Sequence, residues 1–130
     1  MRAVDTNVLV RLFVNDDPKQ FAAATQALAA ESVFIPKSVL VELEWVLRAV
    51  YGYSRTVIGP ILEGLMSKAD VEIEDDKAVS RALDWYKRGM DFADAVHLAS
   101  SRHVRSFLTF DAALRRRVSV LGAAPRVEEP

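Results

Sequence analysis

Met1-Arg2-Ala3-Val4-Asp5-Thr6-Asn7-Val8-Leu9-Val10 opens the chain and decides how the rest is read. Arg2 to Val4 is too short for a helix and reads as a buried strand. Asp5, Thr6 and Asn7 favour turns and helix caps, and a second apolar run follows them. A carboxylate therefore stands where a first strand ends and a helix begins. In open α/β sheets, ligands bind in the crevice outside the strand ends. Taken alone, Asp5 can equally be no more than the cap of the next helix. Three later acids bear on that choice.

Composition sets the limits. A chain of 130 residues with 51% hydrophobic and 27% charged residues is an ordinary globular sequence that can bury a core, and disorder is excluded. There is no cysteine, so disulfides, thiolate catalysis and Cys-ligated zinc are excluded as well. With only His97 and His103 available, a metal here is expected to be a hard cation held by oxygen. The net charge of −1 offers no global basic field for nucleic acid, so any such contact has to be local. No apolar run approaches the ~18 residues of a spanning helix. Fold begins at once, without a charged leader and apolar run, so a cytoplasmic location is expected.

Beyond the first strand, Val8 to Val14 reads as a short helix. Asp17 suits an N-cap, Pro18 the first helical position and Gln20 a capping box, starting an alanine-rich helix to about Ala30. Its stripe is Phe21, Ala24, Ala27 and Leu28. Ser32 to Pro36 is a second strand. From Lys37 the period turns helical, with Val39, Leu43, Val46, Leu47 and Val50 on one face and Gly52 as the stop. Glu44 is expected on the far, solvated side, paired with Arg48 for about 0.2–0.5 kcal/mol. Glu42 flanks the apolar stripe, which is a less expected place for a carboxylate.

Ser54 can cap a helix to about Ser67, interrupted at Gly59-Pro60 by a kink or a fresh start; Ile61, Leu62, Leu65 and Met66 are its core candidates. Val71 to Ile73 is a third strand, and Asp75 or Asp76 can cap a helix over 77–88. That helix has Ala78, Val79, Ala82, Leu83, Trp85 and Tyr86 on its apolar side, the two aromatics being expected in a core or interface. Gly89 ends it, and Asp91 is an N-cap with Asp94 at N3 of the next helix. Capping accounts for one of these acids, and Asp94 needs a further reason. Arg105 to Thr109 is a fourth strand, and Asp111 beyond it repeats the placement of Asp5. Val118 to Leu121 reads as a last edge strand and Ala123 to Pro130 as a tail. Strands alternating with helices define an α/β protein with a central, mostly parallel twisted sheet of four to five short strands flanked by helices.

Asp5, Glu42, Asp94 and Asp111 lie far apart in sequence, so only tertiary folding can join them. If they converge, each close pair repels by about 4 kcal/mol at an effective dielectric near ~20, and a cation is the natural remedy. Oxygen ligands select Mg²⁺ or Mn²⁺, and such an ion can acidify a water and stabilise charge on a phosphate. Thr6, Asn7 and Thr109 are candidates to orient ligands or bind a phosphate oxygen, with turn chemistry as the plain alternative.

In Val4-Asp5-Thr6-Asn7, Val39-Leu40-Val41-Glu42-Leu43, Asp91-Phe92-Ala93-Asp94-Ala95-Val96-His97-Leu98-Ala99 and Leu108-Thr109-Phe110-Asp111, the chain resembles the successive motifs of PIN-domain ribonucleases. More narrowly, it is similar to the VapC-type toxins of prokaryotic toxin–antitoxin pairs. The resemblance implies one PIN domain over residues 1–130 with a three-layer fold. It also implies an endoribonuclease dependent on Mg²⁺ or Mn²⁺, a homodimer, and a small VapB-like antitoxin running through a groove towards the acids. Carried over by position, Asp5, Glu42, Asp94 and Asp111 match the metal-binding acids, and Asp91 matches a less constant extra one. A slightly acidic chain must guide RNA through local groups, for which Arg11, Lys37, Arg48, Arg102, Arg115, Arg116 and Arg117 are candidates.

Two rival enzymes fail on the residues. A haloacid-dehalogenase-like phosphatase needs a second aspartate where Asn7 stands, and a dinucleotide fold needs a glycine-rich turn after the first strand. The remaining rival is a non-catalytic module whose acidic pocket binds a metal or a partner's arginine.

Overall fold

Short strands feed helices throughout the computed structural model, which describes residues 1–130. The order is β1 (Arg2–Ala3), α1 (Thr6–Phe13), α2 (Pro18–Ala30), β2 (Val33–Ile35) and α3 (Lys37–Trp45), which continues as a π-helical turn over Val46–Val50. There follow α4 (Arg55–Ser67), β3 (Val71–Ile73), α5 (Asp76–Lys87), α6 (Phe92–Ala99), β4 (Ser106–Leu108), α7 (Ala112–Leu121) and β5 (Arg126–Glu128). Every strand pairing is parallel, as the alternation predicts for an α/β protein. The pairings group the five strands as β1-β2-β3 and β4-β5. The chain divides into two compact units, residues 1–76 and 77–130.

In the first unit, Ala3 pairs with Phe34 and Phe34 with Glu72. The parallel register carries the C-terminal ends of β1, β2 and β3 to one edge. Asp5 caps α1 at that edge, and Asp17 caps α2 by accepting from the Gln20 N–H, with Pro18 in the first turn. Leu9, Leu28, Ile35, Leu43, Ile58 and Leu62 are among the buried side chains. Fully burying each such residue contributes about 1.5–3 kcal/mol. Gly52, with φ +71, follows the π-helical turn as the predicted stop.

Several expectations fail here. Arg2 and Ala3 are exposed, because β1 lies at the end of the strand order and not inside the sheet. Phe21 is exposed on α2. No fresh start occurs at Gly59-Pro60, and α4 runs through Pro60. Thr56 and Pro60 are both exposed, so water can take up the carbonyl that proline leaves without a donor. The largest correction concerns α3. Its buried residues are Leu40, Leu43 and Glu44, followed by Leu47 in the π-helical turn. The chain has two apolar stripes available, and the leucine stripe is the one covered. Glu44 falls inside it, at 2% exposure, and is no solvated surface residue.

In the second unit, α5 buries Ala78, Val79, Ala82, Leu83, Trp85 and Tyr86 as its period predicts. The Tyr86 and Phe92 rings meet edge to face at 5.3 Å. Val118 to Leu121 belongs to α7, not to a strand, because the helix begun at Asp111 runs unbroken to a left-handed Gly122. The last strand is β5, lying in the expected tail and paired with β4.

Candidate active site

The first unit presents two of the expected acids. Asp5 is exposed at the N-cap of α1 and accepts from the Thr6 N–H at 2.8 Å. That bond consumes part of one oxygen and leaves the other free. Thr6 is 3% exposed, yet its hydroxyl oxygen has no hydrogen-bond partner. A buried hydroxyl without a partner is costly. Asn7 is exposed and borders a cleft of about 310 Å³ lined also by Val8, Arg11, Gln20, Ala24 and Ala27. Glu42 is exposed on α3, a helix that packs on α1, and its carboxylate makes no hydrogen bond or ion pair.

Sequence reading missed Glu74. It follows β3 as Asp5 follows β1, and its carboxylate accepts from the Lys37 N–H at 3.0 Å, capping α3 from a distant segment. The repeated acid-after-strand pattern is the signal that would have found it.

The second unit gathers Asp91, Asp94 and Asp111. Asp91 is the N-cap of α6 and accepts from the Asp94 N–H at 3.0 Å. Asp111 is the N-cap of α7 and accepts from the Leu114 N–H at 3.0 Å. The Thr109 hydroxyl accepts from the Asp111 N–H at 3.0 Å. The Asp94 carboxylate is half-buried and makes no hydrogen bond, so neither capping nor pairing explains it. Burial first, then the charges of Asp91 and Asp111, push its carboxyl above the ordinary carboxylate range, and His97 opposes them. Asp91 and Asp111 thus both lie near enough to Asp94 to oppose its charge.

Most of the basic candidates are committed elsewhere. Arg11 pairs with Asp16, a bond that raises the guanidinium and lowers the carboxyl. Lys37 pairs with Asp75, and Arg48 with Glu44. Arg115 holds the Thr109 carbonyl and faces Glu129. Arg102 and Arg116 are exposed with no internal ion pair, and the Arg117 guanidinium lies over Gly89.

The donor set fits a hard divalent cation. Its oxygens are carboxylate and hydroxyl, and Asp94 carries an ionisation cost that a positive charge would relieve. Neither unit brings three carboxylates or imidazoles close enough to form a cage by themselves. Mg²⁺ does not require one, since it keeps several waters and commonly takes only one or two carboxylates.

Parallel strands leading into helices whose N-termini are capped by carboxylates define an α/β protein. The sequence model of the PIN domain family matches residues 2–119, and the chain belongs to that family. Searches of the curated proteins and of the solved structures each found no significant match. PIN domains are typically nucleases that use divalent metals, and PIN nucleases bind RNA. No helix is long and apolar enough to cross a membrane.

Proposed function

We propose that this PIN-domain chain is a metal-dependent endoribonuclease, a VapC-like toxin in which Asp5, Glu42, Asp94 and Asp111 are the metal-binding acids. The observation that carries the reading is Asp94, a half-buried carboxylate without a hydrogen bond, whose charge is disfavoured by Asp91 and Asp111. A group kept in that condition serves ligation better than stability. When bound, Mg²⁺ or Mn²⁺ supplies an acidified water and neutralises charge on the phosphate.

The chain's own residues do the rest. Asp5 and Asp111 are oriented by their capping bonds, so each offers a fixed oxygen. Asp91 keeps the α6 cap, and its second oxygen is left open to a metal ion. Thr6 has the free hydroxyl to orient a ligand or donate to a phosphate oxygen, and Asn7 is exposed beside it. Thr109 acts indirectly by fixing the turn before Asp111. Arg116, like Arg102, is exposed without an internal ion pair and is offered to RNA, whereas Arg115 secures the turn.

The partners in this reading are RNA, a small VapB-like antitoxin and a second copy of the chain in the cytoplasm, with residues 1–130 acting as a single PIN domain. The cleft next to Asn7 supports an antitoxin that reaches the acids. Exposed Trp45, Val50 and Val57 support a homodimer through the α3–α4 region.

The test is cleavage of total RNA by the purified protein with Mg²⁺, Mn²⁺ or EDTA, beside Asp5→Asn. Metal-dependent cleavage that disappears in the variant is expected. A folded wild type that is inert with both metals across RNA classes would overturn the nuclease reading.

A further inference from the structure

Phe110 is 76% exposed. The other aromatics of its unit are buried or half-buried, so this ring stands apart. It also stands on backbone that is fixed on both sides. The Thr109 N–H donates to the Glu128 carbonyl at 3.0 Å, joining the turn to β5. The Thr109 carbonyl accepts from Arg115 Nη1, and the Asp111 N–H donates to the Thr109 hydroxyl, each at 3.0 Å. Beyond it, Asp111 is locked by its cap to Leu114. Four hydrogen bonds thus hold the residues flanking an aromatic ring that the protein leaves in water.

We propose that Phe110 is a base-stacking residue that seats a nucleobase of single-stranded RNA beside Asp111, a reading that rests on the endoribonuclease function above. Every nucleobase has a π face, and stacking on an aromatic side chain is tolerant of sequence. A ring carried on a fixed turn loses little freedom when a base covers it. Leu108, also exposed, adds apolar surface two residues back. On the other side the chain continues as Asp111-Ala112-Ala113, which is acidic and then small, followed one turn later by exposed Arg116. An anchor for a protein partner would be expected within a broader apolar patch. A ring between a metal-binding acid and an unpaired arginine suits one nucleotide better, its base on the ring and its phosphates near the charges. Phe110 is thereby a positioning residue, fixing which nucleotide stands next to the acids.

The experiment compares Phe110, Phe110→Trp, Phe110→Leu and Phe110→Ala in the full chain. An Asp5→Asn background with Mg²⁺ present prevents cleavage. The probes are a short labelled single-stranded RNA of mixed sequence and an abasic ribose–phosphate chain of the same length. Stacking predicts that Ala weakens RNA binding about 5- to 150-fold, that Leu recovers little, and that Trp recovers all of it. The abasic chain should bind all four alike, which a merely structural role of Phe110 would not produce.

Equal RNA affinity across the four overturns the proposal. If, in addition, the Ala variant runs as a smaller species in solution, the ring belongs to a protein contact. The two readings fail separately. Wild-type protein that cleaves RNA while the Ala variant binds it normally removes stacking alone. A wild type that neither binds nor cleaves RNA removes both.

Discussion

Arg115 donates through Nη1 to the carbonyl oxygen of Thr109 at 3.0 Å, so α7 reaches back and holds the turn from which it starts. The same side chain faces Glu129 at 3.7 Å, just after β5. Arg115 is therefore spent on the architecture around Asp111, although its position in an arginine triplet suggests phosphate contact. Arg116, its neighbour, is exposed and unpaired.

The two arginines should consequently separate in solution. Arg116→Ala is expected to weaken RNA binding evenly across sequences and to reduce the slope of log affinity against log salt by about 0.7, one single-strand phosphate contact. Arg115→Ala should leave that slope nearly unchanged and lower stability by about 1–2 kcal/mol through the lost charged hydrogen bond. Salt titrations of RNA binding beside thermal melts provide both readouts. A larger salt effect from Arg115 would reverse the assignment.

Glu44 and Arg48 form an asymmetric pair: the carboxylate is buried, and the guanidinium bonds it at 2.9 and 3.4 Å from a half-exposed position. Removing the arginine takes charged bonds from a carboxylate that cannot reach water. Arg48→Ala should thus cost about 1–3 kcal/mol. Replacing the acid with leucine should cost less, because Arg48 can return to solvent while the apolar stripe of α3 is completed. Chemical denaturation of the two variants checks the order, and a cheaper arginine deletion would contradict it.

Gly89 separates α5 from Asp91 with φ +107, a conformation open essentially to glycine. A Cβ there would also stand 3.0 Å from Arg117 Nη1. The side-chain end can move aside, so the backbone sets the cost. Gly89→Ala is expected to lose about 1–3 kcal/mol. Since the strain lies two residues before Asp91, the α6 cap should loosen too. Hydrogen exchange at the Asp94 amide reports this directly, and unchanged protection there would confine the effect to Gly89.

Where chemistry is local, the sequence was legible. Asp5, Asp17, Asp91 and Asp111 were readable as caps because each is a short acid between an extended or turn segment and a helical period. The α5 stripe was readable because only one face of that helix is apolar. The α3 helix has two candidate faces, and tertiary packing alone selected the leucines, moving Glu44 inside. Arg126-Val127-Glu128 has too few apolar residues to announce a strand, and β5 exists through its pairing with β4. Motif order singles out Asp5, Glu42, Asp94 and Asp111, whereas the cap from Glu74 onto α3 depends on a contact spanning 37 residues.

Asp94 yields a prediction whose sign follows from linkage. Its carboxyl titrates above the ordinary 3.8 because burial and then Asp91 and Asp111 disfavour its charge. The folded state consequently holds this proton more tightly than the unfolded chain. Its contribution to stability is most favourable below 3.8 and is lost as pH rises through the raised folded value. Near neutral pH the ionised Asp94 is a liability to the metal-free protein. Asp94→Asn should then melt higher than wild type in EDTA at neutral pH, and the difference should vanish in acid. Adding Mg²⁺ or Mn²⁺ should raise the wild-type melting temperature, since a ligand bound only by the folded state stabilises it, and should do so less for the variant. Thermal melts over pH, with and without metal, decide the matter. A variant no more stable than wild type at neutral pH would show that Asp94 is already satisfied without a cation, and the strongest support for its role as a ligand would be gone.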